Sequence, residues 1–321
     1  MLMYKEIVSN CSGCMKCQFV CPTYAISFME NEEGFLYPFV NEEKCIGCNK
    51  CIKECSIKKI SYHSPLKLYV ARNKNTEILS KCSSGGVFPA LADLVIRNNG
   101  IVYATAFDKM NEVIFTKADT IELVESMIGS KYVQSYIEKN YLEVKNHLAN
   151  GTKVLFVGTP CQVNGIKQYI GENENLILVD LICHGVPSPR IWRSFIKFIE
   201  QKEQGSLYKI NFRDKSGGWK KSFASAYINH KKINLQYYMM LYGQGAIIRP
   251  SCYSCKFASI ERISDITIGD FWGIEKICPK WFNDKLGTSM MLCNTQKGQR
   301  IVEALAETVD VEELQFDIPL Q

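Results

Sequence analysis

No stretch of this 321-residue chain stays apolar long enough to cross a bilayer. The longest, Leu176–Val179 resumed beyond Asp180 as far as Cys183, falls well short of the roughly 20 residues a membrane helix needs. The first residues also lack the apolar core of an export signal, because Met1–Asn10 carries Lys5 and Glu6 and runs straight into cysteines. Nor does either charge dominate: 38 Lys and Arg stand against 33 Asp and Glu, a formal +5. These absences argue against a membrane span and against secretion, and predict a soluble cytoplasmic protein. Cysteine, by contrast, is plentiful. Fifteen thiols in a chain with no export signal, many of them tightly spaced, predict metal ligands rather than disulfides. The length suits a small module joined to one sizeable domain with its own apolar core.

The first sixty residues repeat themselves. Cys11, Cys14, Cys17 and Cys21, the last followed by Pro22, have the C-x2-C-x2-C-x3-C-P spacing that holds [4Fe-4S] clusters, and Cys45, Cys48, Cys51 and Cys55 repeat it. In this motif the fourth cysteine of each run serves the other cluster. The expected ligand sets are therefore Cys11, Cys14 and Cys17 with Cys55, and Cys45, Cys48 and Cys51 with Cys21. Zinc needs no such quartet twice over. Gly13 and Gly47 let backbone amides approach cluster sulfide, and Ser56, standing where the second copy would have proline, is expected to loosen one turn. Between the copies, Ala25–Glu30 and Phe35–Val40 flank Asn31-Glu32-Glu33-Gly34 as a hairpin with Gly34 in the turn. A cluster on four thiolates carries about −2 when oxidised, so the formal positive charge is no argument for nucleic acid. The fold expected is an α+β ferredoxin-like two-cluster module over residues 1–62, linked through Ser61–Pro65 to an α/β domain over residues 66–321.

In that second domain, apolar strand-like runs alternate with helical patterns, which predicts a largely parallel or mixed sheet. Val87, Phe88, Leu91, Leu94 and Val95 recur at helical spacing, Asn98-Asn99-Gly100 stops the helix, and Ile101–Phe107 reads as a strand. Lys153–Val157 and Leu176–Ile182 read as buried strands. Each leads into a cysteine-bearing loop, at Gly158–Cys161 and at Cys183–Gly185, and then into a helix, the second starting near Pro189. Such loops lie where open α/β sheets bind ligands. Cys252 and Cys255 form a C-x2-C that would make a third [4Fe-4S] site if it met Cys161 and Cys183; otherwise all four are small buried apolar groups, as Cys82, Cys278 and Cys293 are read. Ser83-Ser84-Gly85-Gly86 precedes a helix and either caps it or cradles a phosphate. Gly129–Ser135 concentrates donors and one positive charge, or is a solvated loop. His184 is either a proton donor or a locally bonded side chain.

Seven segments in order, Ser83–Phe88 (SSGGVF), Gly129–Ser135 (GSKYVQS), Gly158–Gln162 (GTPCQ), Ile182–Pro187 (ICHGVP), Phe212–Trp219 (FRDKSGGW), Cys252–Cys255 (CYSC) and Ile268–Gly273 (IGDFWG), make the chain resemble the beta-subunit family of coenzyme F420 hydrogenases and dehydrogenases. The resemblance spans nearly the whole chain and is strongest to members with a fused ferredoxin module. It implies FAD, with Ser83, Ser84, Gly85, Gly86, Ser130, Lys131, Tyr132, Gln134 and Ser135 as contacts, and it favours the third cluster on Cys161, Cys183, Cys252 and Cys255. It also implies an oxidoreductase that exchanges electrons between clusters, flavin and a small-molecule substrate, served by a ferredoxin or another oxidoreductase subunit. Family sequences commonly continue past the point matching Gln321, so a C-terminal segment is expected to be missing after Phe316–Leu320. Nothing resembles a nickel-binding subunit. The rivals are a non-catalytic relay subunit and a reductase of the deazaflavin coenzyme.

Overall fold

The structure, a computed structural model, describes residues 10–137 and 139–315. Met1–Ser9 and the Phe316–Leu320 segment at issue for a missing tail lie outside the described residues. The first module is built round an antiparallel hairpin of β1 (Ile26–Glu30) and β2 (Leu36–Val40), with Gly34 at φ +83° in its turn as expected. Gly34 is also required by close approach, since a side chain there would strike Arg190. Two short helices, Lys16–Val20 and Lys50–Lys53, carry the third cysteine of each repeat.

Eight strands form the main sheet. These are β3 (Lys67–Asn73), β4 (Ile101–Phe107), β5 (Val113–Ala118), β6 (Val154–Gly158), β7 (Leu176–Leu181), β11 (Ile266–Asp270), β12 (Ser289–Cys293) and β13 (Val309–Leu314), in the order β13-β3-β12-β11-β7-β6-β4-β5. The central β4, β6, β7 and β11 run parallel, and antiparallel strands flank them on both sides, so the sheet is mixed. Both faces are covered, which explains why these strands read as continuous apolar runs. Leu155 and Val157 of β6 face the core beneath helices Val87–Arg97 and Gln296–Ala304, whereas Val154 and Phe156 face the core beneath Asn140–Ala149 and Pro160–Ile170. A smaller antiparallel sheet, β8 (Leu207–Asp214), β9 (Phe223–Ile228) and β10 (Lys231–Asn234), packs Phe212 against Trp192 of helix Pro189–Glu203 and Tyr238 of helix Gln236–Gly243. Periodicity alone did not single out this layer.

The ferredoxin-like module shares the second core. Met15, Phe19 and Phe28 pack with Tyr141 and Ile166 of the α/β domain, and Phe19 stacks on Tyr141 at 5.0 Å. The Tyr141 hydroxyl donates to the Cys14 carbonyl at 2.6 Å. Ser56 loosens nothing. It is buried, its Oγ lies 3.0 Å from Cys14 Sγ, and its carbonyl accepts from Asn164 and Gln168 of helix Pro160–Ile170. A hydroxyl serves that contact where a proline could not. In the linker, His63 pairs through its backbone with Arg262. No helix among the described residues is long and apolar enough to cross a membrane.

Gly165 sits under Cys14, so that a side chain there would strike the Tyr141 hydroxyl and press on the Cys14 thiol. Gly165→Ala should lower stability by about 1–3 kcal/mol despite the better helix propensity of alanine. A lower melting temperature together with faster iron loss from the module, compared with Tyr141→Phe as a control, is the expected outcome.

Candidate functional site

The structure places expected cysteines near one another in three neighbourhoods, around Cys17, Cys51 and Cys183. Cys11, Cys14, Cys17 and Cys55, joined by Cys51 of the other expected set, line a small cavity of about 30 Å³ walled also by Ile26, Phe28 and Ile52. Burial pushes the Cys17 thiol well above its usual range, and Cys14, Cys11 and Cys55 push it further; Cys55 is driven up to about 11, chiefly by burial. Thiols crowded in this way lose their protons readily only when positive charge is supplied among them, which is what iron does. Among the described residues no three Cys, His, Asp or Glu side chains are drawn in tightly enough to hold a single metal ion. In the second group, burial raises Cys51, with Cys21 and Cys48 adding to it, while Cys21 accepts the Ala25 amide at 3.3 Å. Cys45 and Cys48 are exposed, as is the whole of residues 42–50.

The third group gathers Cys161, Cys183, Cys252 and Cys255. Cys161 lies in the first turn of helix Pro160–Ile170 rather than in the loop expected for it, because Pro160 opens the helix and Thr159 caps it in a reciprocal box with Gln162. Cys183 follows β7. Burial raises Cys161 and Cys183, the latter to about 12, and Cys252 adds to both; Cys255 adds to Cys183 and Cys252. Arg262 pins the segment after Cys255 to the end of β7, donating to the carbonyls of Ser259 and Leu181 at 3.0 Å each and pairing with buried Asp180 at 3.2 Å. This group adjoins the first one. Cys14 is among the thiols that raise Cys161, and Ser251 donates to the Cys11 carbonyl at 2.9 Å.

Beyond Cys183 opens a cavity of about 260 Å³ at the carboxyl ends of β4, β6, β7 and β11. Ser83, Ser84, Gly86, Ser130, Lys131, Tyr132 and Ser135 line it, together with Cys183 and His184. Two expected contacts face elsewhere. Gly85 packs against the backbone of Ala71 and Ser289, and Gln134 points toward Gly13 and Arg249. The serines do not cap the following helix. Gly86, at φ +72°, holds the N-cap with no side-chain bond, Ser84 donates to the Thr288 carbonyl, and Ser83 Oγ accepts both the amide and the hydroxyl of Ser130 at 2.8 and 2.9 Å. The first-turn amides of helix Val87–Arg97 therefore keep no side-chain cap at the cavity edge, a setting suited to an anionic group. His184 is exposed, 3.3 Å from the Tyr242 carbonyl and edge-on to that ring, which stacks on Tyr132.

The family defined by the C terminus of the coenzyme F420 hydrogenase/dehydrogenase beta subunit matches residues 151–317, just over half of the chain. The chain belongs to this family. A 4Fe-4S dicluster domain matches residues 10–58, so this member carries its own iron-sulfur electron-transfer module. Among solved structures, a chain of the F420-reducing [NiFe] hydrogenase complex from Methanosarcina barkeri is similar in fold, with a TM-score of 0.55 and 19% identity over 80% of this chain and 85% of that one. No curated protein matches.

Two of the motifs that carry the family resemblance meet at the edge of the cavity. Arg213 pairs with Asp270 at 2.8 Å, Trp219 Nε1 donates to the same carboxylate at 2.9 Å, and the Arg213 guanidinium lies over Trp272, itself stacked on Trp219. Asp270 lines the cavity. Taken singly these residues were ambiguous in sequence; only the fold pairs segments more than fifty positions apart.

Lys131 donates to the carbonyls of Met127, Ile128 and Gly129 at 3.0–3.3 Å, and burial lowers its ammonium from 10.5 to about 7. Between those values the unfolded chain binds the extra proton, so this residue makes stability rise with pH through that window. In flavin-free protein, the melting temperature of Lys131→Met relative to the parent should be highest below pH 7 and the difference should shrink toward pH 10.

Proposed function

We propose that the chain is an iron-sulfur flavoprotein oxidoreductase. Electrons pass between the Cys45, Cys48, Cys51 and Cys21 set, the Cys11, Cys14, Cys17 and Cys55 set, and a third [4Fe-4S] cluster on Cys161, Cys183, Cys252 and Cys255, and then FAD in the cavity beyond. The observation that carries this reading is that Cys183 belongs both to the third thiol group and to the cavity wall.

The residues present fit such a cofactor. Ser83, Ser84 and Ser130 with the uncapped helix start form the polar end, where a pyrophosphate would be held. Val87, Val157 and Leu181 supply apolar wall suited to a planar ring. Lys131 brings the one ammonium lining the cavity among the described residues. Bound there, a flavin supplies the exchange between one-electron and two-electron steps. His184 stands at the cavity within reach of an organic substrate as a proton donor. The exposed Cys45 and Cys48 loop is the face offered to a redox partner, a ferredoxin or another oxidoreductase subunit.

Anaerobic purification with iron, sulfide and flavin counted together tests the whole reading. About twelve iron and one FAD per chain are expected; about eight iron with no flavin would leave a relay subunit. Cys255→Ala should reduce the iron by about four per chain while flavin is retained. Retention of all the iron in that variant would remove Cys255 from the ligand set.

A further inference from the structure

Arg249 is wholly buried, and the hydrogen-bond partners of its guanidinium are all neutral. Nε donates to the Cys11 carbonyl at 2.6 Å, Nη1 to Gln134 Oε1 at 3.1 Å and Nη2 to the Leu36 carbonyl at 3.0 Å. Its face lies 4.1 Å from the centroid of Tyr37. A guanidinium taken out of water is costly unless negative charge lies beside it, and carbonyl oxygens offset that cost only in part. Among the groups near it that can become negative are cysteine thiols. Its fork reaches the Cys11 loop of the first group, and its own carbonyl accepts the Cys252 amide of the third at 2.8 Å. Ser251, between them in sequence, donates to the Cys11 carbonyl at 2.9 Å, so the two loops meet at Arg249.

We propose that Arg249 is the counter-charge shared by the first and third cysteine sets, placed between them to favour the reduced state of both clusters. The inference rests on the reading of those sets as cluster ligands. Taking up one electron makes a four-thiolate cluster more negative, from about −2 to about −3, with one iron reduced and no bond made or broken. A fixed cation at close range stabilises the more negative state and raises the potential. Arginine suits the position because its planar fork reaches the Cys11 loop, Gln134 and the β2 backbone at once, as a lysine ammonium does not. The first C-x-G-C loop is shaped for this closure: Gly13, at φ +73°, leaves room that any side chain would take from Gln134 and Arg249.

The test is a potentiometric titration of the full-length holoprotein followed by electron paramagnetic resonance, after iron has been counted, on the parent, Arg249→Gln, Arg249→Lys and Gln134→Glu. In Arg249→Gln the reduced-to-oxidised ratio of two clusters at fixed potential should fall at least tenfold, about 59 mV for a one-electron couple. The cluster of the exposed Cys45 set, on the far side of the first set, should stay in place, and Arg249→Lys should recover most of the shift. Gln134→Glu keeps the clamp but sets a carboxylate against the guanidinium, so it should lower the same two potentials; it decides the matter alone if Arg249→Gln loses iron. Three clusters with unmoved potentials in Gln134→Glu would overturn the role of Arg249 and leave the cluster reading standing. Fewer than three clusters in the parent would overturn both.

Discussion

Thiols set as close as those around Cys17 and Cys161 cannot all ionise without positive charge among them, and much of this architecture follows from that constraint. Burial, with neighbouring thiols adding to it, raises Cys17, Cys51, Cys161 and Cys183, so a cation is favoured beside each of them. The protein sets some positive charge of its own at these places: Arg249 at the Cys11 loop, Arg262 near Cys183, Lys58 near Cys55, and Lys16, buried beside Cys14 and paired with Glu54.

Apolar packing, rather than charge, joins the ferredoxin-like module to the rest of the chain. A free-standing ferredoxin-like module of some fifty residues has a thin apolar core. Here Met15, Phe19 and Phe28 complete theirs against Tyr141 and Ile166, and helix Pro160–Ile170 serves both sides at once. Its first turn carries Cys161, and Gly165, one turn further on, is the surface on which Cys14 rests. One helix therefore fixes the spacing between two thiol groups, and its rigidity becomes the rigidity of the gap between them.

Local signals were read well from sequence because they depend on neighbours along the chain. The cysteine repeat, the hairpin turn at Gly34, the helix ending at Asn98 and the strands around Leu155 and Leu178 all belong to this kind. What was not legible depended on distant partners. Ser56 looked like a weakened proline position until Cys14, Asn164 and Gln168 gathered round it. Gln134 sat in a segment whose neighbours line the cavity, yet its side chain reaches away from it to Arg249. The β8–β10 sheet escaped notice because its strands alternate with charged, half-exposed residues, and Arg213 and Asp270 gained meaning only as a pair.

The two copies of the cysteine repeat have opposite surroundings. Gly13 is closed in by Gln134 and Arg249, while nothing comes within 4 Å of a side chain placed at Gly47. A sequence that is nearly symmetric is thus seated with one pole in a socket and the other bare. Dissolved oxygen meets Cys45 and Cys48 long before it meets Cys14, so oxidative damage begins at the bare pole and spreads inward. The inner pole is shielded by the domain packed against it, so the two halves of one repeat meet air unequally.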